Sequence, residues 1–462
     1  MTEKYILRSK RIYDSQGKNF FSGFVVIDKG KIHTVQKGER MPSKEEYPGY
    51  EIIDCGDDVI SPGFIDIHCH EDQFDDSSRC TVAEDMVRMG VTTCVAGNCG
   101  TMFQSLENFL EHVQKYGTPA NYVFFTGYNF QRKNAGMDLY RPLEHTQLSL
   151  IVERLQADLE RGAVGLSFGL EYAPGIDIDE IAEVCGYLQK KNPERKLALS
   201  IHIRDDKEKS IDGVKEAVNI AKRTALPVFV SHIGSMAAYG QMEEIYRILE
   251  DAVADGQEMH VDCYPYNAFC TGIGSAVFDE ASMAAGKFTY KQMLFATGPF
   301  AGQYCTEELY REARKNYPRS FVIGFGMKQE QVDYAIVHPL TMICSDGFVL
   351  GQQGHPRTAG SFPRVLGRYV REEKKLSLQD ALWKMTGEPA KALGLKHKGV
   401  IAEGMDADLV VFDPETIIDK ADFTHVNEPP EGIHMVMVNG ALAVREKEVI
   451  SRNGRFVPAW EF

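Results

Sequence analysis

The chain changes its hydrophobic rhythm twice. Between Tyr5 and Ile60 short apolar runs alternate with turn residues: Tyr-Ile-Leu at 5–7, Arg-Ile-Tyr at 11–13, Phe-Val-Val-Ile at 24–27 and Lys-Ile-His-Thr-Val at 31–35. The Asp28-Lys29-Gly30 break between the last two is a hairpin signal, so this opening reads as antiparallel β-structure. It cannot close a sandwich alone. The same texture returns at 408–412 and 435–440, which pairs the termini, 1–60 and 399–462, into one small β-sandwich domain. Between them, over 61–398, apolar runs such as 91–96, 122–125, 163–167, 197–201 and 227–230 are separated by amphipathic stretches such as 243–255. Continuous apolar runs with helices between them are the pattern of buried parallel strands, and over this length they predict an α/β fold, a (β/α)8 barrel. The stretch 278–320 mixes Met, Lys, Tyr and Arg with no clear strand and is expected to be an insertion over the barrel mouth. No internal repeat is present, which excludes a solenoid.

Against this apolar texture the polar residues that end the strands carry the chemistry. Ser-Pro-Gly-Phe-Ile-Asp-Ile-His-Cys-His at 61–70 puts His68 and His70 two apart at a strand end, where side chains two apart share a side. Cys99 in Gly-Asn-Cys-Gly, His202 in Ser-Ile-His-Ile-Arg, His232 in Val-Ser-His-Ile-Gly and Asp346 in Cys-Ser-Asp-Gly each follow an apolar run. In a barrel all of them gather at the C-terminal face. Singly, a strand-end histidine is more often a hydrogen-bonded structural residue and a cysteine is more often packing. Together, four imidazoles, a thiol and a carboxylate at one mouth point to a metal site. Nitrogen, sulfur and carboxylate donors favour zinc over magnesium or calcium. Zinc lowers the pKa of bound water from ~16 towards ~7, and a carboxylate such as Asp346 can take that proton and return it to a leaving nitrogen. That is hydrolysis.

Composition narrows the setting. At 462 residues the chain exceeds the size of a single core, as a barrel with a satellite domain requires. A net charge of −15 argues against nucleic-acid or anionic-membrane partners. Ten cysteines without regular spacing look like reduced thiols, and no apolar run has the length of a signal peptide core or a membrane span. A cytoplasmic protein is expected.

These motifs resemble the amidohydrolase superfamily. More closely, the segments 90–100, Gly-Leu-Glu-Tyr-Ala-Pro-Gly at 169–175, His-Ile-Arg-Asp-Asp at 202–206, Tyr-Pro-Tyr at 264–266 and His-Pro-Arg-Thr-Ala-Gly-Ser-Phe-Pro-Arg-Val-Leu-Gly at 355–367 are similar to the D-aminoacylase branch. The resemblance implies that Cys99, His202 and His232 hold a tightly bound zinc. It further implies that His68 and His70 form a second, weaker or empty site and that Asp346 is the catalytic acid/base. Other branches bridge two metals with a carboxylated lysine on the strand before the third histidine; here that strand, 162–169, has no lysine, and the resemblance implies that the Cys99 thiolate supplies the negative ligand. Arg357 matches an arginine that binds the substrate carboxylate. Where the branch commonly carries a lysine two residues after the fourth histidine, this chain has Gly234.

Around the substrate, Tyr266 or Tyr264 is expected to donate a hydrogen bond and Tyr172 to meet an oxyanion. Arg204 is expected to hold substrate or pair with Asp205 or Asp206. Glu171 either selects a cationic side chain or faces solvent. The implied activity is zinc-dependent hydrolysis of small N-acyl-D-amino acids. The alternatives are an amidohydrolase of another amide, such as a cyclic amide, a dipeptide or one without a free carboxylate, and a non-catalytic scaffold.

Overall fold

The computed structural model describes residues 4–74, 80–285, 288–350 and 352–462. Eight parallel strands run in chain order around a barrel: Phe64–Asp66, Val91–Ala96, Asn121–Gly127, Gly165–Gly169, Ala198–His202, Val228–Val230, Met259–Cys263 and Thr341–Ile343. Their residues are almost all buried, which is why the sequence shows continuous apolar runs and not alternation. The helices bury one stripe each. Met242–Ala254 turns Met242, Ile245, Tyr246 and Leu249 inward and leaves Glu243, Glu244 and Glu250 in water. Burying each such apolar side chain contributes about 1.5–3 kcal/mol. The first and last strands are joined through the segments that follow them. The Asp346 N–H donates to His68 O (2.7 Å) and the His70 N–H to Gly347 O (3.0 Å). Barrel closure and the candidate site therefore share the same backbone.

The two chain ends meet in one nine-stranded sheet, joined where Val59–Pro62 runs antiparallel to Leu409–Phe412. Pro62 lies two residues before the first barrel strand, so this join anchors the barrel's starting point. The expected sandwich is one continuous sheet around its own core, which includes Leu7, Val25, Ile27, Ile60, Leu409 and Met437. Lys31 bridges Asp406 and the Ile32 N–H donates to Met405 O at 2.9 Å, drawing the first hairpin onto the C-terminal segment. The final residues leave this sheet: Phe456 bridges Tyr122, and Val457 and Ala459 join the barrel core.

Between the seventh and eighth barrel strands the chain builds a small antiparallel sheet from Ala268–Gly272, Met293–Phe295 and Phe321–Phe325. The stretch 278–320, of which residues 286–287 lie outside the described residues, thus contains a strand that its sequence does not announce. Three residues are too few for a pattern, and the strand that pairs with Met293–Phe295, Phe321–Phe325, lies outside the stretch. No helix among the described residues is long and apolar enough to cross a membrane.

Candidate metal centre

Six side chains from five barrel strands meet at the C-terminal mouth. Cys99 Sγ lies 3.3 Å from His68 Nε2 and 3.2 Å from His232 Nε2. His232 Nε2 lies 3.0 Å from His202 Nδ1. Asp346 Oδ1 lies 3.2 Å from His70 Nε2 and 3.6 Å from His68 Nε2. Five of the six form two groups of donor atoms that share His68: His68, Cys99 and His232, and His68, His70 and Asp346; His202 stands outside both, against His232. All but His70 are buried.

Three of these residues sit in left-handed backbone: Cys99 (φ 57°), His232 (φ 33°) and Asp346 (φ 48°). Such a conformation costs about 1–3 kcal/mol per non-glycine residue and persists only where the surroundings impose it. Here they do. The His232 N–H donates to Asp262 Oδ1 at 2.7 Å, and the Asp346 N–H is held by His68 O. Cys99 is presented between Gly97 and Gly100, where a Cβ would meet Phe125 O at 2.0 Å and Asn129 Oδ1 at 2.2 Å. Two further carboxylates stand behind the donors. Asp66 Oδ1 accepts from the N–H groups of His68 (3.2 Å) and Ser345 (3.0 Å), and Asp262 Oδ1 lies 3.5 Å from His68 Nδ1. Neither is among the expected site residues, although an acid inside an apolar strand is a visible signal.

The electrostatics favour a cation. Burial works against ionising Cys99, but His68 and His232 hold its thiol well below the usual range. Burial likewise opposes ionisation of Asp346, and Arg357, His232 and His70 outweigh it, keeping the carboxylate charged. Burial lowers His70 and His202, yet Asp346 and Cys99 carry His70 up to about 9, and Cys99 and Glu171 carry His202 up to about 10. A thiolate and a carboxylate among imidazoles is a donor set that suits zinc, and protons and metal compete for the same lone pairs.

The centre opens into a cavity of about 590 Å³ whose walls include Met102, Phe103, Phe269 and Phe348. Arg357 borders it, with Nη1 2.9 Å from Asp346 Oδ2 and the guanidinium 4.7 Å above the Tyr264 ring. Tyr172 borders it too, its hydroxyl 3.2 Å from Thr271 Oγ1 and its ring 4.4 Å from the His202 ring. Burial pushes the Tyr172 hydroxyl well above its ordinary pKa, so it stays a donor. Two expected substrate residues are engaged elsewhere. Tyr266 donates to Asp419 Oδ2 at 3.1 Å, and Arg204 is bound to Glu216 (2.8 and 2.9 Å) and Pro174 O. Arg204 therefore pairs with neither Asp205 nor Asp206 but with a helix, Ser210–Thr224, that comes to meet it. Glu171 lies on the cavity wall against His202, not out in solvent.

Residues 338–444 match the model of the Amidohydrolase family. An N-acyl-D-aspartate deacylase of Alcaligenes xylosoxydans xylosoxydans is 31% identical over 424 residues, 85% of this chain and 83% of the relative. The chain belongs to the D-aminoacylase family of amidohydrolases. A solved structure of a D-aminoacylase with a binuclear metal centre superposes with a TM-score of 0.86 at 28% identity, covering 98% of this chain and 99% of that one. The N-acyl-D-glutamate deacylase of Bordetella bronchiseptica, complexed with zinc and a phosphonate mimic of the tetrahedral intermediate, superposes at 0.85 with 26% identity over 99% and 100%. A Cβ at Gly234 would lie 2.9 Å from Cys263 Sγ and 3.5 Å from Met327 Cε, so any side chain at this position would require Cys263 to shift.

Proposed function

We propose that the protein is a zinc-dependent N-acyl-D-amino-acid deacylase that releases a carboxylate and a D-amino acid. The observation that carries this is the meeting of Cys99, His68 and His232 beside Asp346, on the wall of a cavity, in a chain of this family. Cys99, His202 and His232 would hold one zinc tightly, and His68 and His70 with Asp346 would form a second, weaker locus. When bound, zinc supplies Lewis-acid polarisation of the amide carbonyl and a water that ionises near neutral pH. Asp346 Oδ1 takes the proton of the attacking water and passes it to the leaving nitrogen. The Tyr172 hydroxyl donates to the carbonyl oxygen as charge develops on it. Arg357 keeps Asp346 ionised and presents its remaining N–H groups to the acid end of the substrate. The ten free thiols suit a reducing compartment such as the cytoplasm.

The decisive experiment is amine release by zinc-loaded protein from matched panels of N-acetyl-D- and N-acetyl-L-amino acids, with a chelated control. Turnover confined to D substrates is expected, and hydrolysis of L substrates alone would overturn the reading. A second reading has its own support. Gly234 brings no cation to the site, and the Arg357 guanidinium is already paired with Asp346. Turnover only of cyclic amides, or of amides without a carboxylate, would establish it.

A further inference from the structure

Glu171 lies two residues past the fourth strand, on the cavity wall, and belongs to neither donor group. Its Oε2 is 2.8 Å from His202 Nε2. The other ring nitrogen of His202, Nδ1, faces His232 Nε2 at 3.0 Å. A neutral imidazole keeps one N–H and one lone pair, and the bond made by one nitrogen decides which it is. An ionised carboxylate can only accept. It therefore keeps the proton on Nε2 and leaves the Nδ1 lone pair on the side of Cys99 and His232. The adjacent Tyr172, whose ring centroid is 4.4 Å from that of His202, limits rotation of the imidazole out of this arrangement.

We propose that Glu171 is a positioning residue that fixes His202 as an Nδ1 donor to the metal centre. The proposal rests on the reading that His202 belongs to that centre with Cys99 and His232. Glu171 then acts through the imidazole, and its effect is on the metal before it is on the substrate. Carboxylates behind metal-binding histidines commonly act this way, and losing one costs about 10–100-fold in metal affinity or activity.

The test is zinc affinity of the metal-free full-length protein, measured by competition with a chromophoric chelator, for the wild type, Glu171→Ala, Glu171→Gln and Cys99→Ala. Visible spectra of the cobalt-substituted forms report the ligand field. Glu171→Ala should bind zinc about 10–100-fold more weakly and shift the cobalt bands. Glu171→Gln, whose amide oxygen can still accept from Nε2, should stay within a few-fold of the wild type. Wild-type affinity and spectrum in Glu171→Ala would overturn the proposal, whether or not KM had risen through a lost substrate contact. Wild-type zinc binding that Cys99→Ala leaves unchanged would overturn the centre assignment, and this proposal with it. Long-range proton–nitrogen NMR of the zinc-loaded wild type reads which His202 nitrogen keeps its proton even if a variant fails to fold. A neutral His202 protonated on Nδ1 would refute the proposal.

Discussion

Asp346 serves three partners with one residue. Its Oδ1 faces His70 and His68, its Oδ2 meets Arg357, and its backbone N–H helps close the barrel. Asp346→Asn keeps the shape and removes the charge. We expect the Cys99 group to retain its zinc while kcat falls by about 10²–10⁴, the usual worth of a positioned acid/base. Parallel measurement of metal content and turnover checks this, and an active variant would move the proton transfer elsewhere. Gly100 shows how narrow the tolerance around Cys99 is. At φ 70°, with Asn129 Oδ1 2.2 Å from where a Cβ would stand, Gly100→Ala should destabilise the protein by at least about 1–3 kcal/mol in denaturant unfolding. The residue types at these positions were readable in order along the chain. Their left-handed backbone was not, because it is imposed by partners from other strands.

At the scale of elements, the strand ends supply the donors while loops from elsewhere decide which neighbouring residues reach the cavity. Arg204 follows His202 by two residues and is expected at the substrate or on Asp205 or Asp206, but Glu216 on the following helix binds it. Tyr266 is likewise held by Asp419, a residue of the C-terminal part of the chain, which also binds Arg364 Nη1 at 3.0 Å, and the Arg364 guanidinium lies 4.7 Å above the Tyr266 ring. This clasp sets the turn that carries Tyr264, on which Arg357 stacks. Asp419→Ala leaves a phenol and a guanidinium without their acceptor, at a cost of about 1–3 kcal/mol. We expect that loss in stability, together with a rise in KM larger than the fall in kcat. An unchanged KM would show that the Arg357 subsite does not depend on the clasp.

At the scale of the molecule, the terminal sheet and the barrel are coupled through buried charge. Lys398, 3% exposed, lies 3.0 Å from Asp406 Oδ2 and also binds Asp408. Burial alone would raise Asp406, but Lys398 and Lys31 hold it below its ordinary value of 3.8. A depressed carboxyl contributes its stability above the unfolded pKa and loses it as pH falls through the folded one. Wild-type stability should therefore drop below about pH 4, and Asp406→Asn, weaker at pH 6, should lose less between pH 6 and pH 3. Equal losses would show that this pair does not govern acid unfolding. Zinc should act on the same global equilibrium. A ligand at a thousand times its Kd stabilises by about 4 kcal/mol, so chelation should lower the unfolding temperature of the wild type by several degrees and leave Cys99→Ala unmoved.

The linear sequence by itself determined the period of the apolar runs, hence the barrel and the strands at both ends of the chain, and it determined the donor types, hence a site suited to zinc. Both are local properties: burial on two faces forces continuous apolar strands, and strand ends are where polar side chains can converge. Tertiary structure alone decided the grouping of the donors around His68 and the ion pairing of Arg357 with Asp346. It alone filled the space beside Gly234 with Cys263 and set Glu171 against His202. Each of these is a distance between residues far apart in the chain, fixed by how whole elements pack, and no spacing along the sequence encodes it.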